Sequence, residues 1–145
     1  MLKFLLIILY VYNEIPVFYT MRNYFENDYA SYRFHDGVLH IVYHQGVSID
    51  MEAAVQIVKD RMFLHEGRLF PILCDIKGLK EINKSARAYL AMEGSTLIKA
   101  VAVIVEPPVS KMLSEFYIRT SNPPIPTQTF EQIEDALAFL NEYKE

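Results

Sequence analysis

A mixed α/β domain, with a mostly parallel sheet of about five strands, four helices and an opening β-hairpin, is the fold class that three features of the sequence predict. Two β-rich runs flank Asp36-Gly37, and Asp-Gly between alternating apolar residues is a strong short-range hairpin signal. Two later runs, Leu69 to Ile76 and Leu97 to Val105, are short, continuous and apolar, as strands buried on both faces are. Around them, apolar residues recur at spacings of three and four, the helical period. Strands alternating with helices imply a parallel sheet beyond the hairpin, with binding sites at the carboxyl ends of its strands.

The hairpin strands are expected over Tyr29 to Phe34 and Val38 to His44, with Leu39, Ile41 and Tyr43 on one face and His40, Val42 and His44 on the other. Gly46 ends the second strand. From Ile49 to Glu66 the spacing of Met51, Ala54, Val55, Val58 and Met62 predicts one inward helical stripe, capped by Ser48 or Asp50 and followed by Gly67. LFPILCDI supplies a buried strand, with Pro71 near its entrance because proline cannot donate to a ladder. Asn83 caps a second helix running to about Glu93, with Ala86, Tyr89 and Leu90 inward and Gly94 as its stop. LIKAVAVIV is the next strand, and Pro107 and Pro108 end it. Val109 to Ile118 forms a third helix with Met112, Leu113 and Phe116 inward. SNPPIP is an extended linker, Thr127 to Phe130 a short strand, and Ile133, Ala136, Leu137 and Leu140 define the last helix.

A chain of 145 residues, 52% hydrophobic and 22% charged, can bury a core as one domain. Fourteen Lys and Arg against eighteen Asp and Glu give a net charge of −4, so nothing resembles the basic footprint of a nucleic-acid binder. The single cysteine, Cys74, forms no internal disulfide and suits a reducing, cytoplasmic setting. Residues 1–23 stand apart as an apolar extension before a domain over 24–145. MLKFLLIILYVY is shorter than a spanning helix needs and lacks a small-residue cleavage pattern. A start at Met21, a membrane-associated segment within residues 1–20 and a cleaved signal are the three readings it leaves.

No constellation of residues implies a reaction, a metal or a cofactor. Cys74 reads as a small buried hydrophobe without a neighbouring base. Asp75, at a strand end, is expected to bond loop amides. His40 and His44, four apart on a strand, would lie about 13 Å apart, too far to share one zinc. Lys77, Lys80, Lys84 and Arg87 cluster at the binding edge, where they could receive an acidic partner or a phosphate or simply be solvated. Tyr89, Met92, Met112, Phe116 and Tyr117 fall on the helices flanking that edge and either line an apolar groove or pack the core.

The succession of elements, and above all PILCDIKGLKEINKSARAYLA from Pro71 to Ala91, resembles the STAS-like (SpoIIAA-like) domains of anti-sigma-factor antagonists. In that family a buried strand ends in an aspartate and a short Asp-Ser-Ser-Gly-like motif opens the next helix with a phosphorylatable serine. The resemblance implies Asp75 as the strand-end acid, Asn83 at the motif acid, Lys84 at the first serine, Ser85 at the phosphorylated one and Ala86 at the small position. Asn83 and Lys84 depart from the motif. An uncharacterised bacterial STAS-like group is similar over Tyr24 to Tyr143, through Ala86 to Ala91, Lys99 to Val105 and Pro124 to Phe130. By this resemblance the chain is expected to be a non-enzymatic signalling module with a protein partner, docking through Asp75 to Arg87, with a homodimer as a further state. The alternative is a carrier or sensor of a small apolar ligand or lipid, since the strand and helix alternation is also similar to CRAL-TRIO lipid-exchange domains.

Overall fold

The computed structural model describes residues 23–144, so the expected apolar extension lies outside the described residues apart from position 23. The elements run β1 (Tyr24–Glu26), β2 (Ala30–His35), β3 (Val38–Tyr43), β4 (Val47–Ile49), α1 (Met51–His65), β5 (Phe70–Asp75), β6 (Leu79–Ile82) and α2 (Lys84–Met92). A 3-10 turn (Glu93–Ser95), β7 (Ile98–Ile104), α3 (Val109–Ser121), β8 (Thr127–Phe130) and α4 (Ile133–Asn141) complete the order.

Six strands form one sheet in the order β1-β2-β3-β5-β7-β8. The first three are antiparallel and the rest parallel. The hairpin turns at Asp36 and Gly37, both with positive φ (50° and 76°), as the tight two-residue turn between twisted strands requires. β5 and β7 lie in the interior of the sheet and are flanked by strands on both sides, which is why their sequences are apolar throughout. Two short strands escape the sequence pattern. β4 and β6 pair in parallel as a separate ribbon, and at three and four residues neither is long enough to display an alternation. The edge strand β1 is equally short.

One face of the sheet carries the larger core, in which Tyr32, Leu39, Ile41, Ile72 and Val103 meet Ala54 and Ile57 of α1, Ala86 of α2 and, at its margin, Leu113 of α3. The opposite face carries a smaller core, where Val38, Leu73, Ala102 and Ile104 meet Ala136 and Leu140 of α4. The domain is therefore three layers deep, with α4 alone among the described helices on its side.

Two helices sit rotated from the expected orientation. On α1 the buried face is Ala53, Ala54, Ile57, Val58, Arg61, Leu64 and His65, while Met51 and Val55 are exposed. A stripe drawn from apolar residues alone passes over Arg61 and His65, which are buried because they bond each other and nearby carbonyls. On α3 the buried residues are Ser110 and Ser114, and Met112 and Phe116 face outward. The serine hydroxyls decide this. Ser110 Oγ donates to the Glu106 carbonyl at 2.8 Å and accepts from the Glu106 amide at 2.7 Å, and Ser114 shares a 2.6 Å bond with Thr129 of β8. Small bonded side chains let the helix approach the sheet closely. Ile133 of α4 is likewise exposed, at the helix entrance.

Candidate functional site

Between the sheet and the three helices on its larger-core face lies a cavity of about 130 Å³. Its walls are chiefly apolar: Ile72 and Val101 from the sheet, Ile57 and Val58 from α1, Leu90 from α2 and Leu113 from α3. In volume it is comparable to a site of about 150 Å³ that admits benzene. The cavity's polar lining residues are Tyr43 of β3, Arg61 of α1, Cys74 of β5, Ser95 of the 3-10 turn, Ser114 and Tyr117 of α3, and Thr127 of β8.

Arg61 is the one charged residue among those lining the cavity, and it is 3% exposed. Its Nη1 donates to His65 Nε2 at 2.8 Å and to the Thr96 carbonyl at 3.1 Å, and its Nη2 donates to the Gly94 carbonyl at 2.9 Å. A guanidinium can only donate, so His65 Nε2 must accept. The proton of the neutral ring is therefore on Nδ1, which donates to the Arg68 carbonyl at 2.9 Å. Burial pulls His65 down to about 4, and the neighbouring guanidinium pushes in the same direction. Burial also pulls Arg61 down to about 10, which leaves it cationic at neutral pH. No carboxylate among the described residues pairs with it.

Two further kinds of group are held protonated by their surroundings. Burial pushes the Cys74 thiol up to about 12, with the charge of Asp75 adding to the effect. Burial likewise raises the hydroxyls of Tyr43 and Tyr117 well above the usual tyrosine range. Tyr43, Cys74, Tyr117 and Arg61 all line the one cavity.

The residues expected at the docking edge are arranged as follows. Asp75 Oδ1 accepts from the Lys77 amide at 3.0 Å, and its other oxygen lies 3.6 Å from Lys77 Nζ. Asn83 caps α2, its Oδ1 accepting from the Ala86 amide at 2.9 Å and from Ser85 Oγ at 3.0 Å. Arg87 donates to the Ile82 carbonyl at 2.7 Å and stacks 4.8 Å from the centre of the Phe116 ring. Lys80, Lys84 and Ser85 are exposed, on an edge stiffened by the β4-β6 pairing. Of the five residues expected to line a groove, Tyr117 alone lines the cavity; Tyr89 packs at the core margin, Phe116 lies under Arg87, and Met92 and Met112 are 63% and 66% exposed.

The histidine geometry separates the remaining rings. His35 and His40 stack edge to face at 6.0 Å, and His44 lies 3.1 Å from Glu26 instead. Among the described residues no group of three or more His, Cys, Asp or Glu could hold a metal ion, and no helix is long and apolar enough to cross a membrane.

Sequence reasoning missed Arg61, His65 and Tyr43. The available signal was positional: Ile57, Val58, Arg61, Leu64 and His65 share one helical face, so a charge sits in the middle of an apolar stripe.

The sequence profile of a family described as a domain of unknown function, DUF7793, matches residues 32–144. The chain belongs to this family. The DUF7793 domain thus covers the hairpin, the cavity and α4 together. Among solved structures it is similar to an uncharacterised protein of the DUF3478 family with a SpoIIAA-like fold from Shewanella loihica PV-4, with a TM-score of 0.57 and 17% identity over 80% of this chain and 98% of that one. At that identity the likeness establishes the fold: the DUF7793 domain here is SpoIIAA-like, as the STAS-like resemblance implied. No curated protein matches the sequence.

Proposed function

We propose that this DUF7793 domain binds a small apolar ligand in the cavity between its sheet and helices α1, α2 and α3, without chemistry on it. The observation that carries this reading is the cavity itself. Protein interiors normally close to crystal-like density, and an unfilled space of this size forfeits packing energy that a ligand restores. A non-catalytic role is supported by the state of the neighbouring groups. A thiol held near 12 is not a nucleophile at neutral pH, and His65 spends both ring nitrogens on structural hydrogen bonds.

Native mass spectrometry of the purified chain tests the reading, together with the Val101→Phe variant, which places a larger side chain in the cavity. We expect a stoichiometric small-molecule adduct, or stabilisation on adding benzene-sized compounds, in the parent protein and its loss in the folded variant. An adduct-free protein that no such compound stabilises would refute the proposal.

A second reading rests on a different observation, the exposed first turn of α2. Ser85 and Lys84 face solvent in the first turn of the helix, where a phosphate would be stabilised by the helix dipole and would alter partner docking. Retained partner capture in both Ser85→Asp and Lys84→Glu would exclude this edge as the docking face.

A further inference from the structure

The charge inventory of the cavity narrows what fills it. Burying an isolated cation costs several kcal/mol, and such groups are ordinarily matched by an anion. Among the described residues Arg61 meets only neutral acceptors, the Gly94 and Thr96 carbonyls and His65 Nε2. Those bonds occupy three of the five N–H donors of a guanidinium and leave two. They also hold the planar fork rigidly, from one turn along α1 on one side and from the 3-10 turn on the other. Tyr43 and Tyr117 are neutral hydroxyl donors in the same cavity.

We infer that the natural occupant is a small hydrophobic carboxylic acid, its tail among Ile72, Val101 and Leu113 and its carboxylate accepting from Arg61 with help from the Tyr43 or Tyr117 hydroxyl. The inference rests on reading the cavity as a ligand site and adds the chemical class of the ligand. A carboxylate matches a guanidinium fork in shape as well as charge. The volume sets the size at about that of benzene with a short substituent, or a chain of comparable bulk. A purely structural Arg61, tying α1 to the turn after α2, would make no distinction between an acid and a neutral compound of the same shape.

Calorimetric titration of the full chain at pH 7 with benzoate and octanoate, against benzyl alcohol and 1-octanol, separates these cases. Charge-assisted hydrogen bonds predict that each acid binds about tenfold or more tightly than its alcohol. Arg61→Gln should abolish that preference while leaving alcohol binding, and Val101→Phe should remove both. Where Arg61→Gln melts below the assay temperature, Arg61→Lys, which keeps the charge without the fork, should cut the acid preference several-fold. Equal binding of acid and alcohol overturns the acid assignment and leaves the cavity reading standing. Acid binding that survives Val101→Phe places the acid on the surface and also overturns it. Failure of all four probes to bind removes the cavity reading as well.

Discussion

Arg61 and His65, one helical turn apart, decide each other's chemistry. Because the guanidinium has no acceptor to offer, the histidine must present an unprotonated Nε2, and protonating it would set two buried cations against each other at hydrogen-bond distance. The consequence is a pH dependence of stability whose sign follows from proton counting. In the folded chain His65 titrates at about 4, against an ordinary value near 6.5 when unfolded. Between those values the unfolded state binds more protons, so the contribution is fully present above pH 6.5, shrinks as pH falls and is gone below about 4. The difference corresponds to about 3 kcal/mol for this fully buried ring. Urea midpoints at pH 7, 5.5 and 4.5 should fall more steeply for the parent than for His65→Gln, whose amide oxygen can still accept from Arg61. Parallel curves would show that the ring does not govern acid stability. The sequence carried only the positional hint that Arg61 and His65 share a helical face with Ile57, Val58 and Leu64; the bonds that fix their protonation come from carbonyls outside the helix.

At the scale of elements, the sequence-based expectations succeed where the signal is local. The Asp36-Gly37 turn, the two apolar strands β5 and β7, the strand Thr127–Phe130 and the Asn83 cap all follow from chemistry local to a few residues. They fail where an element is held by a partner distant in sequence. β6 reads as a charged loop, and it is a strand because β4 lies beside it. That pairing depends on a close approach at Gly78, whose carbonyl accepts from the Gly46 amide at 2.7 Å. A Cβ at Gly78 would stand 2.9 Å from the carbonyl oxygens of both Tyr43 and His44, which are backbone atoms without freedom to move aside. Gly78→Ala should therefore destabilise the domain by about 1 to 3 kcal/mol, the usual cost of overpacking. Hydrogen exchange should report faster opening of Gly46 and Leu79 in particular, and an unchanged pattern would mean that the ribbon is not anchored there.

For the whole molecule, the two faces of the sheet carry unequal burdens. α4 is the single described helix over the smaller core, and Leu140 is completely buried against the sheet. Leu140→Ala should cost about 2 to 5 kcal/mol in urea unfolding, whereas Ile133→Ala on the exposed entrance of the same helix should change stability by less than about 0.5 kcal/mol. Comparable losses would mean that the helix is not seated as described. The apolar spacing of α4 was visible in the sequence, but the side of the sheet it covers was not, because a stripe records that a helix packs and not against which face. The same distinction runs through the protein. Sequence alone determined the order and type of the long elements and the SpoIIAA-like class, since hydrophobic period, caps and turn residues act over a few neighbouring positions. Tertiary structure alone decided which way α1 and α3 turn, that a ribbon forms from β4 and β6, and that a cavity remains between sheet and helices, lined by an arginine that no carboxylate among the described residues meets. Those outcomes depend on the fit of surfaces brought together from distant parts of the chain, where a buried arginine is acceptable only because particular carbonyls and a neutral histidine arrive to meet it.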